Sequence, residues 1–204
     1  MSGIASENIL FVILLIASYL LGNISPSTLL ARARGLDIKK EGSGNAGTTN
    51  ALRVLGKKAA LITLVVDIGK GFLPVFIALR LLPPEKAAFC ALAVFLGHVW
   101  PVLLKFQGGK GVATAFGTLL AVNWKMALLC LAIVVIVVAL TRMVSAGSIL
   151  AALAFPVLSH FMAPHMFLPG LIMAAILIFK HRSNIGRILR GEENKLSFGK
   201  GTKE

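Results

Sequence analysis

The sequence predicts an all-α integral membrane protein with seven transmembrane helices, its N-terminus outside and its C-terminus cytoplasmic. Three observations carry that prediction. Hydrophobic residues make up 57% of the 204 and charged residues only 14%, whereas a soluble domain carries about 25% charged residues. Seven apolar segments alternate with short polar stretches, so lipid is the expected solvent. Finally, a seven-span path with an outside N-terminus puts 17 of the 21 Lys and Arg in the cytoplasmic stretches 32–58, 105–111, 141–145 and 180–204. Only Arg80, Lys86 and Lys125 fall outside, and Lys70 lies within a span. That asymmetry is the positive-inside pattern.

The first segment, 9–31, has no basic residue before it and Glu7 as its flanking charge, so it reads as a mature helix and not a signal peptide. Asn23, Ser25, Pro26 and Ser27 interrupt its inner end. Pro26 frees backbone groups there, which predicts a kink lining a cavity. The second segment, 59–82, holds Asp67 and Lys70 three residues apart. Each alone would cost about 2.5–3.5 kcal/mol at mid-membrane, so the two are expected to pair and face the bundle. The third, 87–106, carries His98-Val99-Trp100-Pro101, a similar interruption, with His98 expected as a packed histidine.

The fourth segment, Val112–Val122, is short for an apolar layer about 30 Å thick. It spans only if 109–111 begins the helix and Trp124 anchors its far end. Omitting it breaks the charge asymmetry, so seven spans are retained. Segments 126–140, Val144–Met162 and 166–179 complete the set, and 1–204 is read as a single membrane domain. Cys90 and Cys130 lie within apolar stretches and read as small buried hydrophobes, not a disulfide or metal site. His160 and His165 fall at the outer side with no implied chemistry.

The net charge of +13 would suggest nucleic acid in a soluble protein. Here the cations sit in short loops, where they set topology, and no nucleic-acid partner is expected. The same topology gathers three polar clusters on the cytoplasmic face. The run 108–114 is a glycine-rich turn entering a helix: glycine lets backbone N–H groups approach an anion, the helix N-terminus adds a favourable dipole, and Lys110 adds a charge. It is not a Walker A loop, since Val112 follows Gly111. A plain re-entrant turn is the alternative. The run 42–50 holds three glycines and five hydroxyl or amide residues. Thr48 or Thr49 is expected to cap a short helix over 50–56, with Arg53 one turn inside as a planar fork for phosphate. A solvated loop is the blander reading, but glycines bracketing Ser43 favour a specific backbone shape. Lastly, His181, Asn184 and Arg187 share a helix face, serving either as an interfacial anchor or, through His181, as a base or hydroxyl-orienting group. Glu193 and Lys195 read as structural charges. No metal-ligand cluster, cofactor motif or Ser-His-Asp arrangement is present in the sequence.

Taken in order, Gly42-Ser43-Gly44-Asn45-Ala46-Gly47-Thr48-Thr49-Asn50 with Arg53, Asp67-Ile68-Gly69-Lys70-Gly71, Gly97-His98-Val99-Trp100-Pro101, Gly108-Gly109-Lys110-Gly111-Val112-Ala113-Thr114, and His181-Arg182-Ser183-Asn184-Ile185 through Arg187 and Gly191 to Glu193 and Lys195 resemble the bacterial acyl-phosphate–glycerol-3-phosphate acyltransferase family (PlsY). The resemblance covers nearly the whole chain. It implies transfer of an acyl group from acyl phosphate to the sn-1 hydroxyl of glycerol 3-phosphate, the first acylation of phospholipid synthesis, at the cytoplasmic side of the bacterial inner membrane. It implies a catalytic set of Ser43, Arg53, Lys110, His181 and Asn184. The substrate-binding set is Asn45, Thr49, Gly108, Gly109, Gly111, Thr114, Ser145, Arg182 and Arg187. No metal or cofactor is implied, membrane lipid is the surrounding partner, and a monomer is expected.

Thioester-using glycerophosphate acyltransferases are expected to carry His, four residues, then Asp. The fifth residue after His98, His160, His165 and His181 is Leu103, His165, Gly170 and Gly186, so none fits. The competing class is transport of organic phosphates, against which no matched inverted repeat is visible.

Overall fold

The structure, a computed structural model, describes residues 2–196, and every regular element among them is helical. Lys200 and Lys203, counted above with the cytoplasmic charges, lie outside the described residues. In chain order the helices are α1 (Ser2–Gly22), α2 (Pro26–Arg32), α3 (Thr48–Leu55), α4 (Lys57–Leu81), α5 (Pro84–Val99), α6 (Val112–Val122), α7 (Trp124–Thr141), α8 (Val144–Met162), α9 (Phe167–Lys180) and α10 (Arg182–Leu189). Short 3₁₀ turns occupy Val102–Leu104 and Pro164–Met166.

Among the described residues, five helices are long and apolar enough to cross a membrane, and a sixth joins them if α9 and α10, bent by 55°, count as one. At 11 residues α6 is about 16 Å long, half the thickness of an apolar layer. The outer faces of the long helices are aliphatic: Ile9, Ile13 and Ile16 of α1, Val135 and Ile136 of α7, and Leu153 and Val157 of α8 are all exposed. These faces have the character of a lipid-bathed surface.

Glycines set two close helix crossings. A methyl group on Gly22 of α1 would come within 2.3 Å of Val94 O, and one on Gly97 of α5 within 2.0 Å of Tyr19 O. On the α4–α6 crossing, the same atom on Gly71 would meet Thr114 O at 2.2 Å, and on Gly117 would meet Ile68 O at 2.1 Å. Small residues let helix backbones approach where lipid supplies no hydrophobic drive between helices.

The segment expected as 9–31 is not one kinked helix but two, parted at Asn23-Ile24-Ser25. Pro26 starts α2 at a position where its missing N–H costs nothing. Asn23 holds the break: its Nδ2 donates to Tyr19 O at 2.6 Å and its Oδ1 accepts from Leu103 N at 3.1 Å. The freed Ile24 carbonyl accepts from Lys70 Nζ. Asp67 and Lys70 do pair, at 2.7 Å, and both are buried. His98 joins them, its Nδ1 lying 2.8 Å from Lys70 Nζ, so it is a hydrogen-bonded member of the cluster and more than a packed ring. The break thus turns toward α4 and does not line the main cavity, contrary to expectation.

Candidate active site

One cavity of about 550 Å³ opens among α3, α4, α6, α7, α8, α9 and α10. Its polar wall is built from three stretches far apart in sequence. The first supplies Ser43, Asn45, Thr48, Thr49 and Arg53; the second Lys110 and Gly111; the third His181, Asn184 and Arg187. Ser145 and Ser148 of α8, Asp67 of α4, His98 of α5, and Glu193 and Asn194 beyond α10 line it too.

The first stretch is shaped by Gly42 and Gly44, whose φ angles of +57° and +67° bracket Ser43. Those left-handed values favour glycine. Asn50, buried in α3, locks the turn. Its Oδ1 accepts from Ser43 N at 2.8 Å, and its Nδ2 donates to Glu41 O at 3.0 Å and Ile38 O at 3.3 Å. The helix begins earlier than expected: Gly47 is its N-cap and no side chain caps it. Thr48 and Thr49 are inside the first turn and face the cavity instead of capping.

The glycine-rich run 108–114 behaves differently at its two ends. Gly109 N donates to His98 O at 3.2 Å, and Gly108 O accepts from Lys39 Nζ at 2.6 Å. A methyl on Gly108 would fall 1.9 Å from His98 O, and one on Gly109 2.3 Å from His98 Nε2 and 2.6 Å from Ala46 O. These two glycines are absent from the cavity lining. Close packing of three protein segments leaves no room for a side chain at either position. Gly111, Val112 and Ala113 do line the cavity, so the N-terminus of α6 opens onto it. Thr114 is fully buried on the α4 side of α6 and does not reach it. Arg182 also stands outside: its guanidinium donates to Phe179 O and lies 4.6 Å over the Phe179 ring.

Glu193 is the hub that sequence reasoning set aside as a structural charge. It is buried, and its Oε1 accepts from Ser145 Oγ at 2.8 Å and Asn184 Nδ2 at 2.6 Å. Its Oε2 accepts from Arg187 Nε at 2.8 Å. Asn184, thus oriented, presents its Oδ1 to Lys110 Nζ. Burial works to raise the Glu193 pKa, but the hydrogen bonds from Asn184, Ser145 and Arg187 outweigh it and hold the carboxyl below its ordinary value. A carboxylate amid this many cations was the available sequence signal. Asn50 gave only a weak one, a single amide on an otherwise amphipathic helix.

Lys110 is half-buried, and burial is the largest influence on it. The nearby Arg187, Arg53 and Lys180 charges add to burial, against the pull of Glu193, and its pKa falls to about 8. His181, just past the end of α9, is driven down to about 4 by burial and then by the Lys110 charge. Its Nδ1 lies 2.8 Å from Leu177 O. A carbonyl can only accept, so Nδ1 carries the proton and the neutral ring offers Nε2 as an acceptor.

The apolar side of the lining includes Leu64 and Ile68 of α4, Phe116 and Leu119 of α6, Leu131 and Val134 of α7, Phe155 of α8 and Leu177 of α9. Phe155 is 11 residues along α8 from Val144, so the cavity runs about 16 Å from the loop end into the bundle. Fold and site together define a polytopic membrane protein with a cavity that joins a cationic head to an apolar slot.

Comparison with known proteins gives the family. Residues 12–191 match the family described as glycerol-3-phosphate acyltransferase, and the chain belongs to it. The Trichlorobacter lovleyi glycerol-3-phosphate acyltransferase is 44% identical over 181 residues, covering 87% of this chain and 93% of that one. Its Clostridioides difficile counterpart is 45% identical over 197 residues, covering 91% and 95%. Among solved structures, the glycerol 3-phosphate form of PlsY, an integral membrane glycerol 3-phosphate acyltransferase, superposes with a TM-score of 0.88. It is 35% identical, with 92% of this chain and 96% of that chain covered. The lysophosphatidic acid form superposes at 0.85 with the same identity.

Proposed function

We propose that this protein transfers a fatty acyl group from acyl phosphate to the sn-1 hydroxyl of glycerol 3-phosphate, yielding 1-acyl-glycerol 3-phosphate and inorganic phosphate. The observation that carries this reading is the two-part cavity. Its head gathers Arg53, Lys110 and Arg187, the counter-charges that two phosphorylated substrates require. Its slot offers apolar walls over a length suited to an acyl chain. Relatives that bear the glycerol-3-phosphate acyltransferase name, and PlsY crystallised in glycerol 3-phosphate and lysophosphatidic acid forms, support the same substrates here.

In this reading Arg53, Lys110, Arg187 and the N-terminus of α6 hold phosphate oxygens. Ser43, Asn45 and Thr49 donate to the remaining oxygens of substrate, while Ser145, its hydroxyl committed to Glu193, reaches substrate only as an acceptor or positions that carboxylate. The sn-1 hydroxyl oxygen attacks the acyl carbonyl carbon, the carbon–oxygen bond to phosphate breaks, and phosphate departs. An acyl phosphate is already activated, so alignment and charge stabilisation supply most of the rate. Among the described residues no carboxylate hydrogen-bonds to His181, whose Nδ1 is committed to Leu177 O. The departing phosphate therefore takes the hydroxyl proton, and His181 Nε2 orients the hydroxyl.

The chain acts as one membrane domain over 1–204, as a monomer, with seven crossings, an outside N-terminus and a cytoplasmic C-terminus. The positive-inside distribution supports that path, in which α6 makes the short fourth crossing. The active site then faces the cytoplasm of a bacterial inner membrane. Purified protein in detergent, without added metal, ATP or coenzyme A, should consume acyl phosphate and glycerol 3-phosphate to give lysophosphatidic acid. Turnover without a sealed membrane also separates an enzyme from a transporter. Efficient use of acyl-CoA with acyl phosphate inert would overturn the reading.

A further inference from the structure

A second cavity, of about 480 Å³, lies apart from the first, between the C-terminal end of α2 and the turn after α5. Arg32, Lys39 and Lys105 line it with a single carboxylate, Asp37. Asp37 is partly spoken for, since its Oδ1 accepts from Lys39 N at 3.0 Å. Loop cations alone would be topological, but three further features set this place apart.

The cavity walls are tied together: Lys39 Nζ donates to Gly108 O, which fixes the loop after α2 against the loop after α5. Lys105 and Phe106 adopt left-handed φ angles of +52° and +60°, uncommon for non-glycine residues and frequent at ligand clamps. And the cations are flanked by outward-facing apolar side chains, Leu103 at 74% and Phe106 at 57% exposure. Leu103 and Leu36 line the cavity themselves. Cations beside exposed aliphatic and aromatic groups at a helix end are the pattern by which proteins hold a lipid headgroup while contacting its acyl region.

We propose that this second cavity binds an anionic glycerophospholipid through a phosphomonoester headgroup, with Arg32 and Lys105 as its main phosphate contacts. Three cations against one committed carboxylate match a headgroup carrying about two negative charges better than a singly charged diester. Leu36, Leu103 and Phe106 cover the start of its chains. The site depends on the functional reading above only for which leaflet supplies the lipid.

The test measures dioleoyl phosphatidate binding to full-length purified protein by native mass spectrometry, with glycerol 3-phosphate saturating. Wild type is compared with Arg32→Gln/Lys105→Gln and with Lys110→Ala. Neither Arg32 nor Lys105 belongs to the catalytic cavity, so the double variant should keep glycerol 3-phosphate turnover, which also verifies its fold. It should lose at least about tenfold in phosphatidate affinity, the effect of removing two charge-assisted contacts, while Lys110→Ala binds as wild type does. The reverse pattern would place the lipid in the catalytic cavity and overturn the proposal. Equal binding by all three proteins would overturn it as well, as would displacement by inorganic phosphate at equimolar concentration, or phosphatidylglycerol binding as tightly as phosphatidate. Absence of turnover in wild type would sink the functional reading while leaving these affinity ratios readable.

Discussion

Lys110 is tied into the cavity head through Asn184, which accepts from its ammonium and which Glu193 in turn orients. On the proposed function, replacing it with alanine would remove a charge-assisted phosphate contact. Such a loss amounts to about 10- to 150-fold in kcat/KM, and unchanged kinetics would reduce the loop to a structural turn. Its pKa of about 8 has a direction that can be checked. In free enzyme Lys110 loses its proton as pH rises through that value, so kcat/KM for glycerol 3-phosphate should decline above about pH 8. His181, held near 4, stays neutral throughout and should contribute no limb near 6.5. Lys110→Arg keeps its charge at all these pH values. Loss of the alkaline limb in that variant would assign the limb to Lys110, and its persistence would assign it elsewhere.

At the scale of elements, α6 matters through its contact with α4 and not through its length. Gly117 and Gly71 bring the two backbones together, and the N-terminus of α6 is thereby aimed at the cavity. Gly117→Val should force the helices apart, costing about 1–3 kcal/mol as overpacking does. Thermal unfolding in detergent would register this as a lower midpoint, together with lost turnover. Gly69, one position from Ile68 on α4, has open space where a Cβ would sit. Gly69→Ala should be tolerated, since alanine is the better helix former. Equal damage from both would mean that glycine in this region serves something other than the crossing.

The whole molecule draws the three polar stretches to one end of the bundle, although Ser43 and Lys110 are 67 residues apart in sequence and Lys110 and His181 a further 71. Single cysteines at Ser43 and Ser183, both exposed, test which side that end faces. Cys90 and Cys130 are buried and would be removed first. An impermeant thiol reagent should reach either engineered position only from the cytoplasmic side. Labelling from outside in intact cells would invert the topology and remove the cytoplasmic assignment of the site.

What the sequence determined by itself was the membrane class, most segment positions, and the polar stretches that build the cavity head. Val112–Val122 and Val144–Met162 were legible to the residue. Hydropathy is a property of each segment alone, and an apolar run must reach lipid or core whatever its neighbours do. The Asp67–Lys70 pair was legible for the same reason: helix geometry alone puts residues three apart together. Only the tertiary structure decided which side chains meet. Each residue turns the helix by about 100°, so one position of rotation separates a cavity-lining group from a packed one. That is why Thr114, Gly108, Gly109 and Arg182 fell away from the cavity while Glu193, Asn50 and Thr48 entered the site. Glu193 meets Ser145 across 48 residues, and Asn184 meets Lys110 across 74. Contacts at those separations depend on how the helices pack against one another, and no local pattern encodes them.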